Sequence, residues 1–212
     1  MIHTHNTAPG FYSQNDEQTH ILNYFEILEN EKIDHNMRFL EIGAYDPIAL
    51  SNTRALVELG WSGVYVEPAP DNAARFLKEY KNRDDIVLVN AAIGLKSELV
   101  KFYDSGGDAL STMSQEHMVK WNSVKFTPYF TKTITLDELF AAVGGGFSFI
   151  NLDVEGLNRD LFHALPLKDM TDNGLRMLCV EHDGFFDEMK NTMLGLGYSV
   201  LTFNGENLIF GR

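Results

Sequence analysis

Basic residues are scarce in this chain: 17 Lys and Arg stand against 30 Asp and Glu, a formal net charge of −13 over 212 residues. Recognition of a phosphate backbone needs clustered Lys and Arg, so nucleic acid is not an expected partner. A polybasic membrane-surface mode fails for the same reason. Cysteine is nearly absent. The single Cys179, in the apolar run "RMLCVE", excludes an internal disulfide and a cysteine-based zinc site, and reads as a buried thiol suited to a reducing compartment. No apolar run approaches membrane-spanning length, and the polar opening "MIHTHNTAPG" lacks an apolar signal segment. No Pro/Gly/Ser-rich linker, repeat or low-complexity tract divides the chain. The expectation is one acidic, soluble, cytoplasmic domain over 1–212, without membrane insertion and of open oligomeric state.

What is present is alternation. "NYFEILENEKI" (23–33) has helical spacing and closes an N-terminal helical lead-in over 1–36. "MRFLEIG" (37–43), "GVYVEP" (63–68) and "DIVLVNAAIG" (85–94) read as strands. "SNTRALVELG" (51–60), with Ser51 as N-cap and Gly60 as stop, and "PDNAARFLKEYKNR" (70–83) read as the helices between them. Runs this rich in Val and Ile suit a parallel sheet covered on both faces. A less regular stretch follows: a strand at 99–104, a short helix at 114–121, a strand "TKTIT" (131–135) and a helix from Leu136. Next come strands in "FSFINLDVEG" and "GLRMLCVEHDG", each followed by a helix, the first of these beginning near Asn158. The end, "YSVLTF-NG-ENLIFG", is a hairpin signal, because a type I′ turn at Asn204-Gly205 wants positive φ at both positions. The fold class is therefore α/β: a mostly parallel sheet flanked by helices, closed by a C-terminal antiparallel hairpin.

In such a sheet, ligands lie beyond the carboxyl ends of the strands. The first strand ends in Glu41-Ile42-Gly43-Ala44-Tyr45-Asp46. Gly43 permits close approach, and Glu41 or Asp46 can accept from an ammonium; a lone glycine here is otherwise a plain turn. A pyrophosphate would be repelled by Asp46. Glu67-Pro68 ends the second strand, where a carboxylate can take both ribose hydroxyls. Asn90-Ala91-Ala92 ends the third, offering an amide to an adenine edge and room for a flat ring. Asp153-Val154-Glu155-Gly156 and Glu181-His182-Asp183-Gly184 end two strands that should be neighbours. Five titratable groups there could hold a divalent cation through oxygen ligands or position His182 as a base. The bland alternative is acids opening loops, with His182 donating to a backbone carbonyl.

These residues resemble the FkbM-type S-adenosylmethionine-dependent methyltransferases. "FYSQNDEQTHILNYF" (11–25), "FLEIGAYDPIALSNTRALVELGWSGVYVEPAP" (39–70), "VNAAIG", "TITLDELF", "FSFINLDVEG", "LCVEH" and "NLIF" fall in family order along nearly the whole chain. The resemblance implies a class I Rossmann-like methyltransferase fold. It implies S-adenosylmethionine as cofactor and a hydroxyl of a sugar, polyketide, glycan or other small metabolite as acceptor. Carried over by position, Glu41, Gly43, Ala44, Tyr45 and Asp46 face the methionine part, braced by Ser51, Asn52 and Thr53. Glu67 and Pro68 hold the ribose, Asn90 and Ala91 lie by the adenine, and Gln14 closes over the methionine carboxylate. Asp153 sits closest to the transferring methyl. The chain departs from the family pattern at Gln18, at Asn158 where another Glu is common, and at Asn151 where a Lys or similar polar residue often stands.

For the chemistry, His182 is the first choice of base, with Asp153 orienting acceptor or sulfonium and Glu155 beside it. The competing version uses a divalent ion such as Mg²⁺ on Asp153 with Glu181 or Asp183. The segment 105–130 is expected to cap the acceptor site, with Gly106-Gly107 as the mobile point and Trp121, Phe126, Tyr129 and Phe130 as an apolar lining or as simple packing. Two rival classes remain at this stage: a non-catalytic adenosylmethionine-binding module on the same fold, and a nicotinamide oxidoreductase, against which stand the missing glycines after Gly43.

Overall fold

The computed structural model describes residues 10–106 and 109–212. In chain order the elements are α1 (Glu17–Asn30), β1 (Arg38–Ile42), α2 (Arg54–Glu58), β2 (Ser62–Val66), α3 (Pro70–Glu79), β3 (Ile86–Val89), β4 (Ala92–Ile93), β5 (Leu99–Asp104) and α4 (Gln115–Lys120). They continue with β6 (Thr127–Ile134), α5 (Leu136–Val143), β7 (Phe149–Leu152), α6 (Asn158–Ala164), α7 (Leu167–Asp172), β8 (Met177–Glu181), α8 (Phe186–Gly195), β9 (Ser199–Phe203) and β10 (Asn207–Gly211).

Seven strands form one sheet in the order β3-β2-β1-β7-β8-β10-β9, with β10 antiparallel to both its neighbours and the pairs from β3 to β8 parallel. The fold is thus the Rossmann-like α/β class with a terminal antiparallel hairpin. The alternation of side chains along each strand divides the core in two. Leu40, Ile42, Val64, Val66, Ile150 and Leu152 face a cluster completed by α5, α6, α7 and α8. Phe39, Tyr65, Phe149, Met177 and Cys179 face the other, under α1, α2 and α3. Both faces are covered, as the unbroken apolar runs demanded. Strand order reverses between β1 and β7, which places the binding crevice at their carboxyl ends.

Several boundaries differ from expectation for local reasons. The run 85–94 is not one strand: β3 ends at Val89, the chain turns at Asn90-Ala91, and β4 joins a second, three-stranded sheet in the order β4-β6-β5. β6 starts at Thr127 because it pairs with all six residues of β5. The helix after β1 starts at Arg54 rather than beside Ser51, with Ser51 Oγ accepting from the Arg54 amide at 3.1 Å. α3 ends at Glu79 and α1 opens at Glu17, earlier than the periodicity alone indicated; the short α7 was not foreseen. The Asn204-Gly205 turn is real but not type I′. Gly205 alone has positive φ, and Asn204 Oδ1 caps the amides of Glu206 and Asn207 instead. Gly107 lies outside the described residues. Among the described residues no helix is long and apolar enough to cross a membrane.

Candidate cofactor and acceptor site

A pocket of about 540 Å³, open space at its mouth included, lies at the carboxyl ends of β1, β2 and β7, beneath the β5 to α4 segment. Its walls come from Ile42, Val66, Glu67, Ala91 and Ala92, and its roof from Phe102, Thr112 and Met113. A wider cleft of about 1320 Å³ adjoins it and holds Gln14, His117, Trp121, Glu181, Asp183 and Glu206. Tyr45, Ala109, Asp153 and Glu155 line both spaces, so they mark the passage between them. Among the described residues, five non-glycines have positive φ, and four of them (Tyr45, Leu50, Glu155 and Asp183) line the cleft. Backbone held in this sparsely populated region concentrates at functional sites.

Glu41 does not reach either space. Alternation puts it on the face of Phe39, under the α1–α3 layer, while Ile42 lines the cavity. Its carboxylate accepts from the Thr53 hydroxyl and from Asn151 Nδ2 at 3.3 Å, and burial pushes it up to about 7. The chain of bonds continues outward. Asn52 Nδ2 donates to Asn151 Oδ1 at 3.0 Å, and Ser13 Oγ to Asn52 Oδ1 at 2.7 Å. Ser51, Asn52 and Thr53 therefore tie the β1 tip to the N-terminal segment. Ala44 is buried in the same layer.

Gly43 has φ +84, and a Cβ there would stand 1.6 Å from the Asp153 carbonyl oxygen. Its closest approach is to the backbone just after β7, and the residue also lines the cavity. Asp46 is also spent within the fold: Oδ1 accepts from the amides of Ile48 and Ala49, both at 2.9 Å, and Oδ2 pairs with Arg75 at 3.0 Å. Those bonds outweigh burial and lower its pKa. An ammonium has no claim on it.

Glu67 is buried beside the cavity. Its two oxygens accept from the amides of Tyr45 at 2.8 Å and Ala69 at 2.7 Å, leaving each one lone pair, and burial raises it to about 7. Pro68 and Ala91 line the cavity. The Asn90 amide turns back, donating to the carbonyls of Glu67 at 2.7 Å and Pro68 at 3.2 Å, which corrects its reading as an adenine contact. Gln14 reaches only toward Glu206, at 3.4 Å, on the rim of the cleft.

The acids on β7 and β8 do converge. Burial and the Glu155 charge push Asp153 well above the carboxylate range, and its Oδ1 is shielded from solvent without a hydrogen-bond partner. Glu155 and Glu181 rise for the same causes, burial first and neighbouring acids second. Among the described residues no group of three or more His, Cys, Asp or Glu is arranged to hold a metal ion. Asn158 explains part of this: its Nδ2 bridges Glu181 at 2.7 Å and Asp183 at 3.0 Å, standing where a cation would.

His182 also lines the cleft, but its ring is held by backbone. Its Nδ1 accepts from the Gly184 amide at 2.9 Å and its Nε2 lies 3.2 Å from the Gly205 carbonyl, so both nitrogens are engaged by backbone. The sequence reading missed His117 instead. It sits on α4 with its side chain 9% exposed, lining the cleft, and its Nε2 is 3.1 Å from Glu155 Oε2 without hydrogen-bond alignment. Burial lowers its pKa, which keeps the ring neutral. Gly156 (φ +96) seats this helix: a Cβ there would lie 3.0 Å from Ser114 Cβ and 3.5 Å from His117 Cβ. Of the aromatics in the cap, Trp121 lines the cleft, Tyr129 packs on Phe102, and Phe130 is exposed.

The raised acids fix how stability responds to pH. Between about pH 4.5 and 7 the folded protein keeps protons on Glu41 and Glu67 that the unfolded chain has released. Stability therefore falls as pH rises, by up to about 3 kcal/mol for each group. Urea midpoints at pH 5 and pH 8 test this: the midpoint is expected to be lower at pH 8, and a rise would contradict the assignment.

Residues 41–200 match the model of the methyltransferase FkbM domain. No curated protein matches the chain. Among solved structures, the Methanococcus jannaschii fibrillarin pre-rRNA processing protein is 13% identical over 84% of this chain and 66% of its own, with a TM-score of 0.45. Monomeric WbdD is 10% identical over 97% of this chain and 45% of its own, with a TM-score of 0.48. The chain thus spans under half of WbdD and about two thirds of that fibrillarin.

Proposed function

The chain belongs to the FkbM methyltransferase family, whose members use S-adenosylmethionine, and from that premise we propose that it methylates a hydroxyl oxygen of a sugar, polyketide or similar small metabolite. The observation that carries this reading is the joined pair of spaces, a largely apolar pocket opening past Asp153 and Glu155 into an acidic cleft. The cavity fits the cofactor: Glu67 offers lone pairs to ribose hydroxyls, Ala91 and Ala92 leave room for a flat ring, and the acids of the passage suit a cation. When bound, the cofactor supplies an electrophilic methyl group on a sulfonium.

The protein's own task is to place the acceptor oxygen and remove its proton. Asp153, at the passage between the two spaces, orients the acceptor. His117 takes the hydroxyl proton once its Nε2, sealed beside Glu155, turns toward the cleft, the neutral ring being the form that a base requires. Glu155, against that nitrogen, stabilises the imidazolium that results. Trp121 offers a flat face to a sugar ring or an apolar acceptor. The test is calorimetry with S-adenosylmethionine and S-adenosylhomocysteine, followed by a mass-spectrometric screen of hydroxyl compounds. Uptake of the nucleoside and a gain of one methyl on a hydroxyl acceptor are expected. Methylation confined to amines or thiols would overturn the oxygen assignment, and absence of nucleoside binding would overturn the whole reading.

A further inference from the structure

Asn158, the first residue of α6, is fully buried and lines neither the pocket nor the cleft. Its amide nevertheless joins the two strand ends that build the cleft. Oδ1 accepts at 2.8 Å from the backbone amide of Val154, the residue between Asp153 and Glu155. Nδ2 donates to Glu181 Oε2 at 2.7 Å and to Asp183 Oδ2 at 3.0 Å, at the end of β8. The Val154 N–H decides which end of the amide is which. An oxygen must face that donor, so the NH₂ group faces the two carboxylates.

Two carboxylates aimed at one point repel, and a positive charge between them is the ordinary remedy. Here a neutral NH₂ group fills that point and gives one proton to each acid. Its bond favours the charged form of Glu181 against burial, the direction in which a bound cation would also act. An amide nitrogen is a donor and not a ligand, so no divalent ion shares the point with it. We propose that Asn158 is a positioning residue that takes the part of a divalent ion. It clamps the β8 acids to the loop after β7, so that methyl transfer in this cleft, on the reading above, needs no metal.

The same geometry makes the opposite state one atom away. Mg²⁺ holds its oxygens at about 2.0–2.1 Å in an octahedron, so adjacent oxygens of its shell stand about 3 Å apart. An oxygen in place of Nδ2 would stand at that spacing from both Glu181 and Asp183. Asn158→Asp, which keeps the shape of the side chain, should therefore exchange the clamp for a Mg²⁺ site.

Melting temperatures test this without cofactor or acceptor. Wild type and Asn158→Asp are each melted in EDTA, in MgCl₂ and in NaCl of equal ionic strength. In EDTA the variant should melt below wild type, because three carboxylates then meet with no donor among them. MgCl₂ should raise the variant by about 5 °C or more over the NaCl control and leave wild type unmoved. A Mg²⁺-specific gain in wild type, or none in the variant, would overturn the proposal. If the variant folds too poorly to melt, refolding decides. Recovery with Mg²⁺ but not in EDTA supports the clamp, and recovery in neither overturns it. Turnover tests the functional half: wild-type release of S-adenosylhomocysteine should be equal in EDTA and in MgCl₂, and a loss in EDTA that Mg²⁺ restores overturns it. Failure of wild-type protein to bind S-adenosylhomocysteine is a different result. It overturns the methyltransferase reading and leaves the melting comparison standing.

Discussion

His117→Gln is expected to slow methyl transfer by roughly 10²–10⁴-fold, the usual worth of a positioned base, while leaving the affinity for S-adenosylhomocysteine within a few-fold of wild type. Release of S-adenosylhomocysteine with the acceptor found by the screen measures the first quantity, and calorimetry the second. The separation of the two is the point. His117 lines the cleft but not the cofactor cavity, so its loss removes proton transfer without removing nucleoside contacts. His182→Gln is the control. Both its ring nitrogens serve the loop from His182 to Gly184 and the turn at Gly205, and its removal should cost stability rather than rate. If His182→Gln is the slow variant and His117→Gln is not, the assignment of the base is wrong.

Gly43→Ala is expected to destabilise the protein by more than about 4 kcal/mol, a large share of a typical domain's total stability. Two effects add. Positive φ at an L-residue costs about 1–2 kcal/mol, and the new Cβ, 1.6 Å from the Asp153 carbonyl oxygen, forces β1 and β7 apart at the crevice. The Asp153 amide bond to the Ile42 carbonyl, 2.9 Å, cannot survive that shift. Gly60→Ala separates the terms. Gly60 has φ +90 with nothing within 4 Å of its Cβ position, so it should show the backbone cost alone. Urea midpoints of the two variants provide the comparison; equal losses would mean that the collision is absorbed.

Most of the architecture was legible because it follows from periodicity and punctuation. Unbroken apolar runs announced a sheet buried on both faces, and Asn204-Gly205 announced the reversed final pair, even though the turn that forms there caps itself through Asn204 Oδ1. The site was legible only to the level of strand ends. Sequence names the acids at β1 but not their parity, and parity sends Glu41 into the layer beneath α1 and α2 while its neighbour Ile42 faces the cavity. Asp46 looks like an exposed acid until its own loop folds back and offers it the amides of Ile48 and Ala49. His182 looked available because the carbonyl that engages it comes from Gly205, more than twenty positions away. The residue that was missed, His117, sits on a helix and gave no sign in the sequence, since α4 buries no residue fully and packs on Gly156.

That packing has an evolutionary corollary. The strand ends supply most of the cavity wall, whereas the proposed base, His117, rides on a short insert between β5 and β6, pressed onto one glycine. Replacing that insert would remake the cleft, but it would also disturb the cavity roof at Thr112 and Met113 and discard the proposed base in the same stroke. A descendant that acquires a new acceptor by changing its cap must therefore find a new home for the proton.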